Sequence, residues 1–368
     1  MRQLLVWLLV GRNDRPTDGV RDYCRELARA CGASGVSVKV VDVPWYSHGW
    51  LRALHGLRRE LGKHRPDWVV VQVTHLAWSR RGFSAGMILP AIASRAAGVR
   101  VAAMIHDPSG FGGSRVVDRA RRAAQHASMK LLTLLTDPLF VSVDPAVVPW
   151  LDRHRDRVQR LVVGSNVGEN PGGPQEGERH GPFRVAVFGV AEGPRGAEER
   201  RLVVEVARMA AKRLGQVTVV AFGRGTGPEA GPWPKASGVE VEMHGLVPCE
   251  EASQLLSGAG ALLHVRGPVS TRRGTVAAAI AHGLPIVGYG GAETAPPVTE
   301  AGVMLVEPDD VDGLASALIR LGADDDFACE FRRRSREAWR EHFSWERIAA
   351  RFLDGLGLHS TGQHVRSA

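Results

Sequence analysis

The chain has 368 residues, 44% of them hydrophobic and 23% charged, with a formal net charge of +8. That length suits two domains of roughly 150–200 residues, and the composition is globular, which excludes a disordered or collagen-like chain. No apolar run reaches the ~18 residues of a membrane span, and Cys24, Cys31, Cys249 and Cys329 are too scattered for a zinc knuckle or a disulfide framework.

The cysteines read as buried thiols of a reducing cytoplasm. Met1 to Val10 is short and lacks the small-residue cleavage site of a signal peptide, so it reads as a first strand. Arginine far outnumbers lysine, and the excess charge suits nucleic acid, anionic lipid or phosphorylated small molecules. The arginines are spread over helix faces, and no helix-turn-helix, RNP or zinc-finger signature is present, which disfavours nucleic acid. Peripheral contact with the inner face of an anionic membrane stays open.

In chain order, the first half alternates apolar runs with helical patterns. Strands are expected at Leu4 to Val10, Val36 to Val43, Trp68 to Val73, Val99 to Ile105, Leu139 to Val143 and Val158 to Val163. Helices are expected at Val20 to Ala33, Trp50 to His64, Ala85 to Ala97, Val117 to Leu135 and Ala146 to Arg155. Gly11 to Gly19 is a polar loop. Gly168 to Pro182, GENPGGPQEGERHGP, has no apolar period and reads as a linker. The pattern then restarts with strand Phe183 to Phe188, the glycine-rich turn GVAEGPRG and helix Ala197 to Leu214. Strands Val217 to Phe222 and Val239 to Met243 and helix Pro248 to Ala259 follow. Strand Ala261 to Val265, helix Val276 to His282 and strand Leu284 to Val287 come next. Strand Val303 to Val306, helix Val311 to Leu321 and a mostly helical Asp324 to Phe352 close the fold, and His359 to Ala368 reads as a disordered tail.

This alternation implies α/β architecture with mainly parallel sheets. Two Rossmann-like halves imply a cleft between them, a preferred ligand site. The expected domains are 1–167, a linker 168–182, 183–340, a returning helix 341–358 and the tail 359–368.

The most informative stretch is ALLHVRGPVSTRRGTVAAAIAHGLPIVGYGG, 261–291. It sets Ser270, Thr271, Arg272 and Arg273 at a strand's carboxyl end and a helix's N-terminus, where α/β sheets bind anions. Arg272 and Arg273 offer planar bidentate donors. Gly274 lets a phosphate approach the backbone, and Thr275 adds an N–H. The reading is a diphosphate cradle, with Arg195 reaching it from the neighbouring loop. The competing reading is a solvated arginine pair and a plain helix cap. Scattered histidines show no metal-ligand spacing, so no metal is expected.

AHGLPIVGYGG (281–291), GVMLVEPDDVDGLASAL (302–318) and FSWERIAARF (343–352) together resemble the GT-B-fold, retaining, nucleotide-sugar-dependent glycosyltransferases of the group 1, or family 4, type. TDGVRDY (17–23), AAMIHDP (102–108) and VVGSNVGE (162–169) match more loosely. The family's two glutamates fall at Ser270 and Ala278. Its arginine and lysine after the first strand of the second domain fall at Val190 and Arg195. The chain therefore resembles a divergent branch.

The resemblance implies two Rossmann-like domains facing each other across a cleft, the first binding the acceptor and the second the nucleotide sugar. His106 and Ser270 become catalytic candidates. His106 either contacts the donor sugar or is structural, and Ser270 either bonds a sugar hydroxyl or phosphate or caps a turn. Gly19 lets the first loop approach the diphosphate. Gly223 and His244 line the base side, Glu293 substitutes for a missing carboxylate or is a solvated loop residue, and His75 and Asp107 are acceptor contacts. The implied activity is sugar transfer, with retention, to a carbohydrate or lipid-linked hydroxyl in polysaccharide or glycoconjugate synthesis. It needs no cofactor beyond the nucleotide-diphosphate sugar as co-substrate. The alternatives are a GT-B protein that binds without transfer and a sugar-nucleotide epimerase.

Overall fold

The computed structural model describes residues 4–11, 19–172 and 181–358. The expected loop at 11–19, the linker at 168–182 and the tail at 359–368 thus fall wholly or partly outside the described residues. The chain divides into two compact units. One holds the described residues up to Val162 together with those from Trp345, and the other is Val163–Ser344.

The first unit is built on a six-stranded parallel sheet in the order β2-β1-β3-β4-β5-β6. The strands are β1 (Leu5–Val10), β2 (Ser37–Asp42), β3 (Trp68–Val73), β4 (Arg100–Ile105), β5 (Leu139–Val141) and β6 (Val158–Arg160). Every residue of β3 is buried, the mark of a strand covered on both faces. Helices α1 (Gly19–Ala33), α2 (Trp45–His48), α3 (Trp50–His64), α4 (Ile88–Ala96) and α5 (Val116–Thr133) supply those covers. The expected α-helix at 146–155 is instead two 3-10 segments, Pro145–Val147 and Pro149–Arg157. Pro149 has no N–H to give a continuing α-helix, and the tighter turn accommodates it.

The second unit carries β7 (Phe183–Phe188), β8 (Val217–Phe222), β9 (Val239–Gly245), β10 (Ala261–His264), β11 (Ile286–Tyr289) and β12 (Val303–Val306). Their order, β12-β11-β10-β7-β8-β9, is that of a doubly wound sheet whose strand order reverses between β7 and β10. Its helices are α6 (Gly193–Leu214), α7 (Cys249–Ser257), α8 (Gly274–Ala281), α9 (Val311–Ala323) and α10 (Asp325–Ala338). Several boundaries differ from expectation by a few residues, and two of the shifts have a clear local cause. GPRG, expected in a turn, is the first turn of α6, because Pro194 suits a helix start where no N–H partner is needed. The strand expected from Leu284 begins at Ile286. Leu284 donates its N–H back to Ala279 of the preceding helix, and Pro285 has none to donate.

The expected helical run 324–352 is divided by a π turn at Trp339–Phe343. Beyond it, α11 (Trp345–Gly355) belongs to the first unit, where it packs on α1 and buries Trp345, Ile348 and Phe352. The Phe352 and Phe140 rings lie 5.4 Å apart. Phe352→Ala is expected to cost about 3–5 kcal/mol, as for other buried aromatic truncations. A denaturant melt that follows the first unit checks this.

Candidate functional site at the carboxyl ends of the second sheet

The reversal of strand order makes the loops after β7 and β10 diverge, which opens a crevice beyond their carboxyl ends. The loop after β10 is held from two sides. Val269 donates to Tyr289 O, and Thr294 Oγ1 donates to Val269 O at 2.6 Å. Arg272 forms an ion pair with Glu293, both side chains being largely buried. Glu293, read from sequence either as a substitute for a missing carboxylate or as a solvated loop residue, is engaged in positioning Arg272 against the loop. Arg273 lies over Gly267, whose φ of +80° and missing side chain make room for it.

Helix α8 starts at Gly274 with Arg273 as its cap residue, and Arg273 supplies no side-chain acceptor to the first turn. The first amides therefore keep their donor capacity and the partial positive charge of a helix start. From Val276 onward every residue of α8 is buried, so small side chains let the helix sit tightly in its unit. Ser270 is 1% exposed, and among the described residues its Oγ has no hydrogen-bond partner. A hydroxyl buried without a partner is costly unless something else meets it.

One residue of this site escaped the sequence reading. His264 ends β10, is 4% exposed and approaches Thr275 Oγ1 at 3.4 Å through Nδ1. Its Nε2 is buried without a partner among the described residues. Burial, with Arg273 and Arg266 adding to it, pushes its pKa down to about 3, so the ring is neutral. The available signal was a polar residue closing an otherwise apolar strand directly before the loop.

Across the switch point, the loop after β7 is fastened by Glu199, which accepts from Ala191 N at 2.6 Å and from Arg195 Nε at 3.1 Å. Gly196 is required here, since a Cβ would lie 1.9 Å from Ala191 O. Arg195 lines a cavity of about 400 Å³ together with Glu198, Glu199, Gly267, Tyr289 and Asp309. Further along the sheet edge, Gly223 (φ +91°) donates to Gly245 O, and His244 lies 3.5 Å from Glu242 and 3.7 Å from Glu251. Three strand spacings separate β9 from β10, or about 14 Å, on the order of the span of a nucleoside diphosphate.

The remaining candidates lie in the first unit. His106 follows β4, is 9% exposed and bonds Gln72 Oε1 through Nε2 at 2.9 Å. Tyr23 packs edge-on against it at 5.1 Å. Burial lowers its pKa to about 4. His75 uses both ring nitrogens, Nε2 on Asp107 O at 3.0 Å and Nδ1 on Ser84 Oγ at 3.1 Å. In this arrangement it braces the loop that carries Asp107 and leaves neither nitrogen to an acceptor. Gly19 is the first residue of α1, and a Cβ there would meet nothing within 4 Å among the described residues. The packing of the described residues therefore does not require glycine at that place. Among the described residues no group of three His, Cys, Asp or Glu side chains could hold a metal ion.

No protein-family model matches the chain, and no curated protein matches it in sequence. Solved structures do. Sucrose-phosphate synthase from Thermosynechococcus elongatus superposes with a TM-score of 0.65 at 16% identity, over 96% of this chain and 98% of that one. HepE of Anabaena, solved with UDP-glucose, gives 0.65 at 12% identity over 96% and 100%. A putative UDP-N-acetylglucosamine 2-epimerase from Listeria monocytogenes gives 0.62 at 12% identity over 96% of each chain. The fold is GT-B. Within it, Ser270, Arg272, Arg273, Gly274, Thr275 and His264 gather at one helix mouth of the second unit, with Arg195 in the first turn of α6 across the switch point.

Both buried histidines have consequences for stability. The folded protein keeps them neutral down to about pH 4 for His106 and about pH 3 for His264, whereas the unfolded chain takes up protons near 6.5. The unfolded state therefore binds more protons below about pH 6.5, and stability falls as pH drops through that window. Each histidine contributes up to about 1.4 kcal/mol per pH unit. His106→Gln and His264→Gln are each expected to flatten the dependence of the denaturant midpoint on pH between 6.5 and 4.

Proposed function

We propose that this GT-B protein transfers a sugar from a nucleoside-diphosphate sugar to a hydroxyl acceptor. The observation that carries the reading is the mouth of α8. There the buried Ser270 Oγ and His264 Nε2, both without partners among the described residues, stand beside two arginines and an N-terminus with no side-chain cap. A diphosphate supplies the acceptors these donors lack. HepE, solved with UDP-glucose, and sucrose-phosphate synthase share the fold, which supports a nucleotide-sugar donor.

The chemistry follows from charge. As the bond from the anomeric carbon to the diphosphate oxygen breaks, its electron pair and negative charge pass to the leaving phosphate. Arg272, Arg273 and the amides of Gly274 and Thr275 are placed to stabilise that charge with charge-assisted hydrogen bonds. Arginine and amide donors thereby take the role a metal ion would otherwise fill, and the reaction in this reading is metal-independent. Glu293 keeps Arg272 pre-organised. The ribose and base extend along the sheet edge towards Gly223 and His244.

The acceptor belongs to the first unit, with Asp107 as its candidate contact. His106, with a pKa of about 4, is too weak a base to deprotonate a hydroxyl near neutral pH. In the retaining reading, the acceptor hydroxyl forms the new bond to the anomeric carbon and gives its proton to the departing diphosphate. A polysaccharide or lipid-linked glycan is the acceptor class we infer.

A second reading, epimerisation of a sugar nucleotide, is favoured by the epimerase among the fold relatives and needs the same diphosphate cradle. Incubation with a panel of nucleotide sugars, with and without saccharide acceptors, separates the readings. Transfer releases free nucleoside diphosphate, epimerisation changes the sugar without releasing it, and a binding protein gives thermal stabilisation alone. Absence of both stabilisation and turnover across the panel sinks the proposal. Arg272→Ala combined with Arg273→Ala is expected to weaken nucleoside-diphosphate affinity by at least about a hundredfold, measured by calorimetry. Unchanged affinity would remove the cradle assignment.

A further inference from the structure

Helix α5 in the first unit buries Met129 and Leu132 in the core but also carries a second apolar stripe that faces outward. Its polar residues Asp118, Gln125 and Ser128 are buried. They are needed inside: Gln125 donates to Gly82 O and accepts from Phe111 N, both at 2.8 Å, and Asp118 pairs with Arg121 at 3.1 Å. The helix thereby clamps two loops of its own unit. The outward stripe consists of Val116, Ala120, Ala123, Ala127, Leu131 and Leu134, the last just past the helix end, and all six are exposed. Val116 is 74% exposed and Leu134 68%. These positions recur at helical spacing and form one continuous face, whereas a helix on a soluble surface turns its apolar stripe inward.

Charge decides what covers the stripe. Residues 79–134 contain nine basic and two acidic side chains, a net of seven positive charges against eight for the whole chain. Neither acid is exposed, since Asp118 is buried and Asp107 half-buried. Arg119 and Lys130 flank the stripe and are exposed. A second copy would bring like charges face to face. Nucleic acid would meet the arginines but not an apolar stripe. An anionic bilayer meets both, with hydrocarbon for the stripe and headgroups for the flanks. Among the described residues no helix is long and apolar enough to cross a membrane, so the fitting mode is a helix lying in the interface plane.

We propose that α5 docks the protein on an anionic lipid surface, with Val116, Leu131 and Leu134 inserted at the headgroup boundary and Arg119 and Lys130 on the lipid phosphates. This stands apart from the sugar-transfer reading and does not depend on it.

Co-sedimentation of the full chain with vesicles tests it. Binding is expected to vesicles of phosphatidylcholine mixed with phosphatidylglycerol, to weaken with salt, and to be much lower on phosphatidylcholine alone. Val116→Glu combined with Leu134→Glu is expected to lower partitioning at least about tenfold. Because both positions are exposed, the melting temperature should stay unchanged. Arg58→Ala with Arg59→Ala, on the exposed face of α3, should leave binding within about twofold. The proposal is overturned by equal binding to both vesicle types, by binding to neither, or by a double variant that binds like the parent chain. A concentration-dependent dimer abolished by the double variant would also overturn it, by making a second copy the occupant.

Discussion

A helix that begins without a side-chain cap, beside buried polar atoms that lack partners among the described residues, constrains the rest of the second unit. The N-terminus of α8 has no side-chain cap and sits beside Ser270 and His264, whose buried polar atoms lack partners among the described residues. Such a cluster is costly when empty and favourable when an anion fills it. The surrounding structure maintains it. The strand-order reversal between β7 and β10 separates the flanking loops, Thr294 and Tyr289 brace Val269, and Glu293 holds Arg272 in place. Orphaned polar groups concentrated at one strand end are what a ligand site leaves behind when sequence and fold otherwise agree.

In the proposed reading, the same cluster lets the loop after β10 hold a sugar-nucleotide donor without the paired carboxylates of the proteins it resembles. Ser270 and Ala278 stand at those places. Ala278 is fully buried, so α8 packs closely at that position and offers no polar contact there. Recognition shifts in this account from carboxylates that accept hydrogen bonds from sugar hydroxyls to donors that meet phosphate. The carboxylates nearby have other partners, Glu293 with Arg272 and Glu199 with Arg195 and a backbone amide.

Much of the fold was legible because buried parallel strands are written as unbroken apolar runs. Trp68–Val73, Phe183–Phe188, Val217–Phe222 and Val303–Val306 end where the sequence pattern ends, and helix Trp50–His64 is bounded by its own periodicity. Less legible were features that depend on tertiary partners. The start of α6 at Gly193 hid behind a glycine-proline cluster that reads as a turn. The 3-10 segments at 145–157 kept a helical pattern of apolar residues without α-helical hydrogen bonding. In the candidate site, residues 270–275 stood out in the sequence because arginine, hydroxyl and glycine before a small-residue helix have a direct chemical meaning. His264 was not visible, since one histidine ending a strand resembles any other until burial removes its partners. Spacing likewise could not show that both nitrogens of His75 are taken up inside its own unit.

The central claim is that the mouth of α8 holds a diphosphate. A crystal structure of the full chain with a saturating nucleoside diphosphate tests it most directly. The account expects phosphate oxygens within hydrogen-bonding distance, about 3 Å, of Ser270 Oγ and the amides of Gly274 and Thr275, with Arg272 or Arg273 on the terminal phosphate. A nucleotide bound elsewhere on the second unit, with Ser270 Oγ and the α8 amides meeting only water, would contradict it.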